Sequence, residues 1–116
     1  MKLPVTFQDL IVEANHLSLY KKLIIQLNKD LLSANVDLEL DEDTLPTSLK
    51  LVLQDLVFNL IQTKFSTYVN LLYIVDVAEA KVRQIESDDT VKLSEDITFL
   101  ILQRIWQKVW YKHKNV

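Results

Sequence analysis

Residues 49–75 read LKLVLQDLVFNLIQTKFSTYVNLLYIV, and this stretch decides the fold. It is not a membrane span, because Lys50, Asp55, Asn59, Lys64 and Asn70 would be left in hydrocarbon. The polar residues Asp55, Asn59, Gln62, Ser66 and Asn70 recur every three or four positions, so on a helix they form one narrow stripe. Around that stripe stand Leu49, Val52, Leu53, Leu56, Val57, Phe58, Leu60, Ile61, Phe65, Val69 and Leu72. A helix this widely apolar is either central or covered by a second subunit. Pro46 suits its first turn, Thr44 or Thr47 is placed to cap it, and Ser66 and Thr67 mark a kink.

The rest of the 116 residues reads the same way. The chain has no glycine, two prolines and 49% hydrophobic residues, enough for one packed domain over 1–116. Without glycine the usual hairpin turns are disfavoured, and the P-loop and dinucleotide fingerprint are excluded. Left-handed helix ends must then use another residue, and Asn35, after Ser33 and Ala34, is the candidate. Having no cysteine, the chain has neither a disulfide scaffold nor thiolate chemistry.

A first long helix is expected after Thr6, whose hydroxyl can cap it, with Asp9 in the first turn and Val5 and Leu10 as a hydrophobic staple. Leu10, Leu17, Ile24 and Leu31 recur every seven residues, and Asn15 is a place for a break. Val36 to Asp41 alternates apolar and acidic residues. It reads as an acidic connector laying Val36, Leu38 and Leu40 over the bundle. Asp76-Val77-Ala78-Glu79 reads as a capping box for a short helix to about Glu86. Ser94-Glu95-Asp96 then opens a last long helix with Lys108, Lys112 and Lys114 towards its end. The expected fold is all-α: a small bundle of three long helices plus one short helix.

Net charge is −3, which disfavours general nucleic-acid binding. The charge is polarised, however. Asp30, Asp37, Glu39, Asp41, Glu42 and Asp43 fall in a stretch without a base, while Arg104, Lys108, Lys112 and Lys114 end the chain without an acid. Such polarity docks two ends of one molecule, two copies or a partner, or is a solvated loop beside a basic helix terminus. The N-terminus has no apolar signal region, so a cytoplasmic protein is expected.

Chemistry-bearing patterns are few. Glu13 and His16 have the Glu-x-x-His spacing of di-metal carboxylate sites, but no second such pair exists. Neither a metal nor a cofactor is therefore expected. His113 lies between Lys112 and Lys114 as an exposed helix end, and Glu86, Asp88 and Asp89 lack the glycine of a calcium loop. Trp106 and Trp110, with Phe99 and Leu102, share one helix face, which is either core or interface.

Asn70-Leu71-Leu72-Tyr73-Ile74-Val75-Asp76-Val77-Ala78-Glu79, with Leu102-Gln103-Arg104 and Lys108-Val109-Trp110, resembles a family of short uncharacterised proteins from Bacteroidetes. The resemblance covers the C-terminal half and implies a bacterial cytosolic protein; it brings no activity, ligand or catalytic residue.

The expected function is a non-enzymatic interaction or structural module that self-associates as a homodimer or meets another protein. Phe99, Ile105, Trp106 and Trp110 are its candidate interface. A metal-dependent or small-molecule enzyme using Glu13 and His16 is an alternative. A nucleic-acid accessory protein using Arg104, Lys108, Lys112 and Lys114 is another.

Overall fold

The computed structural model describes residues 1–85 and 87–115. It contains α1 (Phe7–His16), α2 (Tyr20–Ser33), α3 (Pro46–Thr63), α4 (Phe65–Val75), α5 (Glu79–Arg83) and α6 (Thr90–Lys114), and no strand among the described residues. The fold is all-α, as expected. The helix count is not: two of the expected long helices are each broken in two.

The first break follows Asn15 by two residues. Ser18 takes a left-handed conformation at φ 57°, and the Leu19 amide donates to the Ala14 carbonyl at 2.8 Å. The same terminator recurs twice. Asn35 sits at φ 60° with Val36 N–H on Leu31 O, and Asp76 at φ 68° with Val77 N–H on Leu72 O. In each case the residue after the left-handed one is apolar, and so is the residue it bonds back to, which is the pattern that closes a helix end. Asn35 was anticipated as such a cap; Ser18 and Asp76 were not.

The second break is at Lys64, φ −142° and ψ 63°, rather than at Ser66 and Thr67. Just upstream, Asn59 Nδ2 donates to Asp55 O at 2.9 Å and Thr63 Oγ1 to Asn59 O at 2.8 Å. Side chains that back-bond to the preceding turn compete for its carbonyls and bend a helix.

Several caps differ from expectation. Thr6 does accept from Asp9 N at 3.1 Å, but Val5 is 72% exposed, so no staple forms. Neither Thr44 nor Thr47 caps α3; its N-cap is Leu45, with Pro46 opening the helix. Asp76 terminates α4 instead of starting α5, so the capping box is absent; α5 follows Ala78 without a side-chain cap. Helix α6 starts at Thr90, capped by Asp89 onto Val91 N at 2.9 Å, four residues before Ser94. Ser94 is buried inside it and donates to Val91 O. The expected end of α5 at Glu86 lies outside the described residues.

The centre of the bundle is α6, which packs against α1, α2, α3, α4 and α5. Its buried residues Ser94, Ile97, Thr98, Ile101, Leu102, Ile105, Trp106 and Val109 follow three- and four-residue steps, a stripe broad enough to meet helices on several sides. Helix α3 answers with the narrower stripe Leu49, Leu53, Val57 and Leu60. The connector follows its alternation: Val36 and Leu40 are buried, Leu38 is half-buried, and Asp37, Glu39 and Asp41 face solvent.

Candidate interaction surfaces

Helix α4 has the sequence FSTYVNLLYIV and carries no charged side chain. One face is core: Tyr68, Leu71 and Val75 are buried. The exposed side presents Phe65, Val69 and Tyr73, spaced by four, at 53%, 52% and 80% exposure, with Ser66 and Asn70 alongside. Four-residue spacing stacks side chains on one face, so the three form a continuous stripe about 12 Å long. Phe65 is braced from beneath, its ring centroid 5.4 Å from that of buried Tyr68. An uncharged helix that exposes three large apolar side chains beside only Ser66 and Asn70 is unusual at the surface of a soluble monomer.

A second surface is an open groove of about 820 Å³ between α2 and the connector. Its floor includes Ile25, Leu32 and Leu38, with Leu32 76% exposed. Asp37, Glu39, Asp41 and Glu42 stand along it, and Lys29 is the one base in the lining. The connector is held in place by its backbone. Asn28 Oδ1 accepts from Leu40 N at 2.9 Å while Asn28 Nδ2 donates to Leu40 O at 2.8 Å, so one amide clamps the extended segment through both backbone groups of a single residue. The Tyr20 hydroxyl donates to Thr44 O at its far end, and burial raises this phenol above its ordinary value.

The basic end of α6 is largely committed within the chain. Lys108 Nζ lies 2.7 Å from Asp30 Oδ2 and also donates to Ile74 O. Lys112 Nζ donates to Gln26 Oε1 at 2.6 Å, and Gln26 Nε2 donates to Asp30 Oδ1 at 3.0 Å. Arg104 donates to the carbonyl and carboxylate of Asp76, both at 3.1 Å, holding the left-handed end of α4. Lys114 Nζ stands 5.0 Å from the Trp110 ring centroid. Of the acidic stretch, only Asp30 meets this end. Asp43 pairs at 3.5 Å with Lys21, and Asp37, Glu39, Asp41 and Glu42 have no ion-pair partner among the described residues.

The expected interface on α6 is mostly interior. Ile105 and Trp106 are 0% exposed, so they are core and offer no surface; Phe99 and Trp110 are half-buried. Four-residue spacing put Trp106 and Trp110 on one face, but the helices wrapped around α6 cover Trp106 completely. Its Nε1 and the buried Thr98 hydroxyl have no hydrogen-bond partner among the described residues. Glu13 is half-buried and His16 exposed near the end of α1, and no group of three or more His, Asp or Glu among the described residues could hold a metal. His113 is exposed in the last turn. The α4 stripe was within reach of sequence reasoning: residues 65–75 have no charge, and their apolar residues spread over more of the helix than one core-facing side can cover.

No known protein family, curated protein or solved structure matches this chain. No helix among the described residues is long and apolar enough to cross a membrane.

Proposed function

We propose that the protein is a non-enzymatic interaction module that works as a homodimer joined through α4. The observation that carries this reading is the charge-free helix with Phe65, Val69 and Tyr73 in solvent. A surface that offers no charge is matched without desolvating a charge by another that offers none. Helix α4 of a second copy is such a surface. A twofold contact sets the same stripe against itself, and homodimer interfaces are the more apolar class. The setting is the cytosol of a bacterium, as the resemblance of residues 70–79 implies.

Sedimentation equilibrium tests the proposal. The chain is expected near twice its 13.6 kDa mass. Val69→Glu is expected near the monomer mass and still fully helical by circular dichroism, since Val69 is half exposed already, with a melting temperature lowered only by the lost association. A wild-type chain that stays monomeric as concentration rises refutes the dimer.

A further inference from the structure

We propose that the groove between α2 and residues 35–42 is a docking site for a cationic, apolar segment of another protein. Ile25 and Leu32, seven residues apart on α2, put two large side chains along about 10 Å of floor. Leu38 adds a third from the connector. Asp37, Glu39, Asp41 and Glu42 line the same groove, with Lys29 as its one base, and have no ion-pair partners among the described residues. The floor selects apolar side chains and the carboxylates select positive charge. Together they fit a segment in which lysine or arginine alternates with leucine-like residues. The same carboxylates repel phosphate, so nucleic acid and anionic lipid are poor occupants. The basic end of a second copy's α6 is also a poor occupant, because Lys108, Lys112 and Arg104 are already bonded to Asp30, Gln26 and Asp76. The Asn28 clamp on Leu40 keeps the groove formed before anything binds, which limits the ordering cost.

The α4 contact and this groove are separate surfaces, so the two proposals fail independently. The test is fluorescence anisotropy with a labelled peptide alternating lysine and leucine. Matched glutamate–leucine and lysine–serine peptides serve as controls. The lysine–leucine peptide is expected to bind, more weakly at high salt, and both controls are expected to bind at least about tenfold more weakly. Glu39→Lys and Leu32→Ser, both at exposed positions, should each weaken binding by about tenfold or more, while Val69→Glu should not change it. Absence of binding by the lysine–leucine peptide overturns the proposal. So does equal binding to wild type, Glu39→Lys and Leu32→Ser, which would mean that the peptide adheres to the acidic protein at large.

Discussion

Lys108 and Asp30, 78 residues apart in sequence, meet at 2.7 Å between α6 and α2, with side chains only 19% and 10% exposed. Gln26 takes the second carboxylate oxygen and Ile74 O a second ammonium proton, so both charges are bonded on more than one side. A carboxylate and an ammonium taken out of water are tolerated only with such partners.

Removing one partner strands the other. Asp30→Leu should therefore cost about 3 kcal/mol in urea unfolding, well above the ~1 kcal/mol ceiling of exposed pairs. Adding Lys108→Met to it should restore much of the loss. If the single substitution costs no more than a surface pair, the network contributes little.

Tyr20 ties α2 to the end of the connector through Thr44 O. Tyr20→Phe should cost about 0.5–1.5 kcal/mol, the usual net worth of one hydrogen bond. The bond also carries a pH signature. Burial raises the phenols of Tyr20 and Tyr68 above about 10, so the unfolded chain ionises first as pH rises. Stability from this source is complete below pH 10 and is lost as pH climbs through the raised values. Melting temperatures across that range should fall less in Tyr20→Phe than in the wild type; parallel curves would contradict the assignment.

Ser18 pays for its φ of 57° in steric strain that glycine would not have. Its neighbours Ala14 and Leu19 already make the terminating bond. Thermal unfolding of Ser18→Gly should show a gain of about 0.5–1 kcal/mol after the added chain entropy of glycine. Destabilisation would show that the break depends on the serine side chain.

Leu60 and Leu56 separate core from margin on α3, being 6% exposed and half-buried. Leu60→Ala should cost about 2–5 kcal/mol and Leu56→Ala clearly less. Equal losses would mean that the face of α3 is assigned wrongly.

Periodicity made the helices readable, because Leu49, Leu53, Val57 and Leu60 can share a face only on a helix. It could not locate their ends. Nothing local marks Ser18 or Asp76 as left-handed; each is held there by a bond that also needs Leu19 or Val77 to find cover. At α6, Ser94-Glu95-Asp96 imitates a helix start, yet Asp89 caps earlier and Ser94 turns inward. Trp106 shows the same limit for function. Spacing names the face of a residue, whereas tertiary packing decides whether protein or solvent lies beyond it. That is why the interface is proposed on α4 rather than on the buried part of α6.

The proposed dimer is tested most directly by the position of its axis. The chain has no cysteine, so a single introduced one reports on contact between copies. Val69 is the middle of the α4 stripe, and a twofold axis through the centre of that stripe would bring its two copies within the few ångströms that a disulfide spans. Mild oxidation should convert Val69→Cys to a covalent dimer, while Leu32→Cys, more exposed but in the groove, should remain a single chain under the same conditions. Equal cross-linking of the two, or faster cross-linking at position 32, would contradict association through α4.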